Sequence, residues 1–181
     1  MRKLTAGLFH SVDGVVEAPN LWQFDSFDAE IGAAMGSMIA TTDTVLLGRV
    51  GYSQWADYWP TADDEFAQFI NPVRKHVASR TLTGTLDWEN STLIEGDLLD
   101  FVTELKRGEG GDIAIAGGIS LVRQLLFAGL LDELTLITHP VVAGSGQRLF
   151  TESDPTTRLT LLDGRITSQG NALLTYTLRP S

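Results

Sequence analysis

Two glycines stand where an apolar segment gives way to a helical pattern, and such a turn can hold a diphosphate group. Gly117 and Gly118 follow the run 112–116, and Ser120 lies in the first turn of the helix expected after them. Backbone amides and the helix dipole attract anions there, and glycine allows close approach because it has no Cβ atom. The full G-x-G-x-x-G fingerprint is missing, so an ordinary tight turn is an alternative interpretation.

Two arginines follow two other predicted strands. Arg49 comes after Gly48 at the end of the apolar run 44–47, and Arg80 comes directly after the run 76–79. In open α/β sheets the carboxyl ends of the strands border the ligand crevice. Because a guanidinium group is planar and permanently charged, this pair could clamp phosphate groups, including a ribose 2′-phosphate. Each arginine taken alone also fits a surface position or an ion pair.

Asp13 and an aromatic segment are the candidates for contact with a substrate. Asp13 precedes Gly14 in the loop after the first predicted strand. A carboxyl group there could hydrogen-bond a pyrimidine-like ring or transfer a proton, although Asp-Gly is also an ordinary turn pair. The segment 52–59 contains four aromatic residues, which could stack on a heterocycle or fill a core or a dimer interface. Tyr52 and Trp55 are our candidates for the pocket.

The elements that must position these residues alternate between strand and helix. Strands are predicted at 3–9, 44–47, 76–79, 92–95, 112–116 and 133–138, and helices after Ser26 as N-cap, at 62–70, after Asp97 and at 119–128. The unit 112–138 has the length of a βαβ crossover, and the segments 158–166 and 172–179 alternate like an antiparallel hairpin. We therefore predict one α/β domain over residues 1–181, with a mixed, mostly parallel sheet and helices on both faces.

Composition excludes several functional classes. The chain has no cysteine, and His10, His76 and His139 are far apart, so no metal site is predicted. A net charge of −10 repels nucleic acid. No apolar run approaches the roughly 20 residues that span a bilayer, and the N-terminus lacks the features of a signal peptide. These features predict a cytoplasmic protein that binds a small molecule and neither nucleic acid nor membrane.

Several short motifs occur in the order and with the spacing of one known family. They are Ser11–Gly14, Leu46–Arg49, Val77–Thr81, Gly117–Val122, and His139–Val142 with Gly144–Gly146. The chain therefore resembles the dihydrofolate-reductase-like family, on the branch of stand-alone relatives of the riboflavin-biosynthesis reductase domain. The resemblance covers nearly the whole chain. It implies a dihydrofolate-reductase-like three-layer fold, with NADPH lying across the sheet.

The resemblance also implies which segments contact NADPH. They are Gly48 and Arg49 near its phosphates, Ser79 and Arg80 at the adenosine 2′-phosphate, Gly117, Gly118, Ile119 and Ser120 at the diphosphate, and Ala6 and Val15 beside the nicotinamide. The implied reaction is NADPH-dependent reduction of a C=O or C=N bond in a small heterocyclic or sugar-bearing substrate. The family's best-known substrate is a phosphoribosylamino-pyrimidine, the substrate of 5-amino-6-(5-phosphoribosylamino)uracil reductase.

Other functions stay open at this point. Folate reductases bind the pteridine through an acidic residue on the first long helix, where this chain offers Asp28 and Glu30 in a different spacing. A dihydrofolate reductase proper is therefore one alternative, and a non-catalytic pyridine-nucleotide-binding protein or an oligomeric interaction module are others. No further basic cluster is assigned to a substrate phosphate. Because the family commonly pairs, and the aromatic residues exceed the needs of one pocket, we expect a homodimer.

Overall fold

Eight strands form one sheet in the computed structural model, which describes residues 1–178. The strands are β1 (Leu4–Ser11), β2 (Thr42–Gly48), β3 (Arg74–Ala78), β4 (Ser91–Leu93), β5 (Asp112–Ala116), β6 (Glu133–His139), β7 (Leu159–Ile166) and β8 (Ala172–Leu178). Their order across the sheet is β4-β3-β2-β5-β1-β6-β8-β7. The strands from β4 to β6 in that order are parallel, and β8 is antiparallel to both of its neighbours. The predicted mixed sheet with a C-terminal hairpin is confirmed, although residue 179 of the predicted last strand lies outside the described residues.

Helices cover both faces of this sheet, as predicted. They are α1 (Ala29–Thr41), α2 (Arg49–Tyr58), α3 (Glu65–Ile70), α4 (Leu98–Arg107) and α5 (Ile119–Phe127). Successive residues of β2 point to opposite faces, so Leu46 packs with α4 and α5, whereas Val45 packs with α2 and α3. α1 lies on the same face as α2, over β1 and β6. No helix within residues 1–178 is long and apolar enough to cross a membrane.

Helix α2 was not predicted from the sequence, which indicated only an aromatic segment there, and the starts of two other helices differ from the prediction. The N-cap of α1 is Asp28 rather than Ser26, because the Asp28 carboxylate accepts a hydrogen bond from the amide of Ile31 at 2.9 Å. α3 begins at Glu65, after Asp64 as its N-cap, and so is shorter than the predicted span 62–70. In both cases a carboxylate close to the expected start supplies the cap.

Asn171 connects α1 to the C-terminal hairpin through a buried polar network. Its side-chain amide donates to the carbonyl of Ser26 at 2.7 Å and to Asp28 Oδ2 at 2.9 Å. Its Oδ1 therefore faces His139 Nδ1, at 2.7 Å, and that nitrogen must carry the proton. Burial lowers the pKa of His139, so the ring is neutral at neutral pH and its Nε2 can accept from Gln23, at 3.2 Å. The network fixes the start of α1 against β6 and β8.

Replacing Asn171→Ala is expected to lower the free energy of unfolding by about 1–3 kcal/mol, because it leaves buried polar groups without partners. Urea unfolding followed by tryptophan fluorescence measures this change. Gln169→Ala, in the exposed turn of the same hairpin, is the matched control and should stay within about 0.5 kcal/mol of the parent. Equal losses of unfolding free energy in the two variants would show that the hydrogen bonds of Asn171 do not stabilise the fold.

Candidate functional site

A cleft of about 1400 Å³ opens at the carboxyl ends of β2, β3, β4 and β5. Parallel strands end at the same edge of a sheet, so residues that are distant in sequence meet there. Eight of the ten residues that the sequence assigned to cofactor binding line this cleft: Gly48, Arg49, Ser79, Arg80, Gly117, Gly118, Ile119 and Ser120.

The start of α2 and the turn between β5 and α5 touch through their backbones. A Cβ atom on Gly51 would lie 1.7 Å from the carbonyl oxygen of Gly117, and one on Gly117 would lie 3.1 Å from the Cα of Gly51. Gly117 also has a φ of +56°, in the left-handed region that favours glycine. Only glycine at both positions permits this contact.

This contact places two helix N-termini side by side at the cleft. α2 follows Gly48 and α5 follows Gly118, and within the described chain neither helix has a side chain hydrogen-bonded as its N-terminal cap. The first-turn residues Arg49 and Ser120 line the cleft. Amides at a helix N-terminus carry a partial positive charge and need acceptors. The pair of termini can therefore bind a diphosphate.

The two arginines are exposed at the rim of the cleft. Neither Arg49 nor Arg80 takes part in an ion pair within residues 1–178. The turn that carries Arg80 is ordered by Ser79, whose hydroxyl oxygen accepts from the amides of Thr81 at 3.1 Å and Leu82 at 2.9 Å. Both guanidinium groups are thus presented to solvent beside the cleft, as a phosphate-binding role requires.

Asp13 lies outside the cleft lining and holds two loops together. Its carboxylate accepts from the hydroxyl of Ser11 at 2.7 Å and from the amides of Ala143 and Gly144, each at 2.9 Å. These hydrogen bonds, with that of Ser11 the largest effect, lower the pKa of Asp13 to about 2. The group is ionised at neutral pH, so it is poorly suited to donate a proton. The structure favours the turn role that the sequence left open.

Three further candidates also lie outside the lining. Tyr52 is buried between α2 and the sheet, and its hydroxyl accepts from the amide of Trp88 at 3.4 Å. Ala6 and Val15 are buried as well, and in each case the next residue in the sequence lines the cleft instead. Burial of these three side chains accounts for their absence from the lining.

Trp55 does line the cleft, in a part that the sequence did not identify. Its ring packs edge-on against Trp59 and Phe66, with centroids 5.9 and 5.8 Å apart. We call this part the inner compartment and define it by its large side chains, which are Phe9, Met35, Met38, Trp55, Phe66 and Phe69. The helical spacing of Met35 and Met38 had indicated only a core-facing stripe. That spacing is the same whether a stripe faces a core or a cavity.

Small residues of the sheet lie beneath the inner compartment. Gly7 and Ala114 lie on the face that α1 and α2 cover, beside Val45. A Cβ atom on Gly7 would lie 3.6 Å from the sulfur of Met38, so α1 reaches across β1 at this point. The floor of the inner compartment is therefore formed by residues with little side-chain volume.

Comparison with known proteins matches this architecture. The sequence model of the RibD C-terminal domain family matches residues 2–173. The uncharacterised protein YyaP of Bacillus subtilis (strain 168) is 29% identical over 180 residues, which cover 97% of this chain and 94% of that protein.

Two solved structures share the fold. One is a Thermotoga maritima diaminohydroxyphosphoribosylaminopyrimidine deaminase/5-amino-6-(5-phosphoribosylamino)uracil reductase, with a TM-score of 0.67 and 11% identity over 98% of this chain and 57% of that one. The other is Enterococcus faecalis dihydrofolate reductase complexed with NADP(H), with a TM-score of 0.61 and 14% identity over 98% and 97%. The predicted dihydrofolate-reductase-like fold is confirmed.

Replacing Gly51→Ala is expected to push α2 away from the turn at Gly117, because the new methyl group overlaps a carbonyl oxygen. We expect a loss of about 1–3 kcal/mol of stability, from overpacking. The affinity for the NADPH expected from the sequence should fall about tenfold or more, since one helix N-terminus is displaced. Urea unfolding and quenching of tryptophan fluorescence measure the two effects.

Gly36→Ala provides the matched control for Gly51→Ala. A Cβ atom on Gly36, in the exposed middle of α1, meets no atom within 4 Å. That variant should gain up to about 1 kcal/mol of helix stability and keep the parent's affinity. If Gly51→Ala behaves like this control, the close contact does not matter for the site.

Proposed function

The chain belongs to the family of RibD C-terminal domains, and from that premise we propose that it is an NADPH-dependent reductase. Its substrate is a small heterocyclic or sugar-bearing molecule with a C=O or C=N bond. The proposal rests on the cleft at the carboxyl edge of the sheet, where the helix N-termini and arginines converge. The structurally similar Thermotoga maritima protein is named as a deaminase and a reductase, which supports the same reaction class.

The residues of the cleft fit NADPH. The cradle formed by Gly51 and Gly117 leaves no room for a Cβ atom, and it brings the first turns of α2 and α5 together to hold the diphosphate. Arg49 and Arg80 are the groups that would neutralise the remaining phosphate charge. The cleft exceeds the ~300–1000 Å³ typical of a pocket for one ligand, so it has space for a substrate beside the cofactor.

The residues of this chain position the reactants and exclude water. When bound, NADPH supplies the hydride that adds to the carbon of the C=O or C=N bond, while a proton from solvent adds to the oxygen or nitrogen and NADP⁺ remains. The apolar walls of the inner compartment keep water away from the reacting carbon. Binding the two reactants side by side makes their reaction effectively unimolecular. The chain therefore needs few catalytic side chains of its own.

The placement of the acidic residues on α1 argues against a dihydrofolate reductase proper. Asp28 caps the helix and bonds to Asn171, and Glu30 accepts from the amide and hydroxyl of Ser168 at 2.8 and 2.6 Å. Both carboxylates are directed to the hairpin, and neither lines the cleft. A pteridine in the inner compartment would contact the methionine thioethers of α1 and neither of these carboxylates.

We also propose that the protein is a homodimer. β7 is an edge strand that exposes Leu161, Leu162 and Ile166, with relative exposures of 54%, 51% and 67%. Apolar side chains on an unpaired edge favour pairing with a second strand. Light scattering coupled to gel filtration measures the mass in solution, and a monomer at all concentrations would contradict the proposal.

Replacing Arg80→Ala or Arg49→Ala is expected to weaken NADPH binding more than NADH binding if that arginine contacts the 2′-phosphate. Loss of a charge-assisted hydrogen bond costs about 1.5–3 kcal/mol, which is roughly 10- to 150-fold in affinity. Titration of the parent and variants with each nucleotide, followed by tryptophan fluorescence, measures the difference. Arg158→Ala, an exposed arginine outside the cleft, is the matched control.

The same titration tests the proposed function. Equal weakening of both nucleotides in an arginine variant would argue against a contact with the 2′-phosphate. Failure of the parent to bind either nucleotide would remove the reductase assignment and leave the fold. Binding of NADPH without its oxidation by any member of a broad substrate panel would favour a non-catalytic nucleotide-binding protein.

A further inference from the structure

Within residues 1–178, two cationic side chains line the cleft. Among the lining residues of the described chain, Arg49 and Arg80 are the only ones with a positive charge. NADPH carries a diphosphate and a 2′-phosphate, and the proposed function assigns both arginines to these groups. The other charged lining residues, Glu17 and Asp97, are acidic, and the chain as a whole has a net charge of −10. A second phosphorylated molecule in this cleft would meet repulsion without a cation of its own.

The inner compartment offers a different kind of surface. One wall is formed by Met35 and Met38 of α1, and the other by Trp55 of α2 with Phe66 and Phe69 of α3. Thioether and aromatic groups bind flat or apolar molecules through contact area and ring stacking. None of these side chains can neutralise an anion. The walls therefore select for an uncharged ring.

We propose that the substrate of this chain is an uncharged compound without a phosphate group, in which an aromatic or other apolar ring carries the C=O or C=N bond. The ring lies between the α1 wall and the α2–α3 wall, over Gly7 and Ala114. This inference rests on the proposed reductase function for the reaction, but binding of such a compound is measurable without turnover. The proposed substrate differs from the one in the name of the Thermotoga maritima protein, which carries a phosphoribosyl group.

A pair of probes that differ only in a phosphate group tests the inference. We would titrate the parent protein, saturated with NADP⁺, with 1-naphthol and with 1-naphthyl phosphate in a calorimeter. A salt concentration of about 0.15 M screens the charge of the distant surface. We expect the affinity for 1-naphthol to be at least about tenfold higher than the affinity for 1-naphthyl phosphate. Only the phosphate ester places an anion beside apolar walls that have no group to neutralise it. Equal or tighter binding of 1-naphthyl phosphate would overturn the inference.

Lysine variants on α1 show whether the compartment or the net charge decides this preference. Met38→Lys places a cation in the compartment, and we expect it to raise the affinity for 1-naphthyl phosphate about tenfold. Ser37→Lys adds the same charge on the same helix but outside the cleft, and should leave the affinity unchanged within about twofold. Met38→Leu should keep the preference of the parent for 1-naphthol. Equal shifts in the two lysine variants would contradict the inference.

Two further measurements guard against misfolding of Met38→Lys and separate this inference from the proposed function. Gln54→Lys, at an exposed position of the lining on α2, should shift the preference in the same direction even if Met38→Lys fails to fold. The titrations are repeated without nucleotide in the Arg49→Ala/Arg80→Ala double variant, because both arginines are free to bind the phosphate ester when no cofactor is present. A preference for 1-naphthol in a protein that does not bind NADPH would contradict the proposed function alone, whereas NADPH binding with a preference for the phosphate ester would contradict this inference alone.

Discussion

The site depends on one backbone contact, the approach of α2 to the turn between β5 and α5. Gly51 and Gly117 lie too close for any side chain between them, and their contact fixes the start of one helix against the start of another. Strand order makes this possible, because β2 and β5 are neighbours in the sheet and a helix follows each of them, directly after β2 and after a two-residue turn after β5. The proposed binding of a diphosphate in the cleft therefore depends on strand order and on glycine at positions 51 and 117.

A second constraint is that the sheet must leave space between its helices without losing stability. The face under α4 and α5 is filled by leucine, isoleucine and valine, whereas the opposite face carries small residues at the centre of the sheet. α3 is held in place by other means. Buried Lys75 donates to the carbonyls of Ile70, Asn71 and Val73 at 2.8, 2.6 and 2.8 Å, which satisfies the end of the helix. Phe66 and Phe69 of α3 are therefore held beside the inner compartment and do not fill it.

Sequence patterns predicted the parts of the site that depend on the backbone and on strand order. The glycine turn at Gly117 and the arginines at strand ends follow from local rules, and parallel strands bring them to one edge. The patterns did not separate Trp55, which lines the cleft, from Tyr52, which packs against Trp88. Residues 52, 55 and 59 have helical spacing, a signal for α2, but the side of the helix that meets a cavity depends on small residues far away in the sequence.

The two walls of the inner compartment are held by different physical means, and this difference bears on function. α2 is positioned by van der Waals contact between backbones, which fixes the separation of two helix N-termini within a narrow range. α1 is positioned at its start by hydrogen bonds among Asp28, Asn171 and His139, and farther along by Met38 over Gly7. Methionine is flexible and adapts to the shape beside it. The part of the cleft proposed to hold the cofactor is therefore fixed by contact between backbones, whereas the α1 wall of the proposed substrate compartment can adapt its shape.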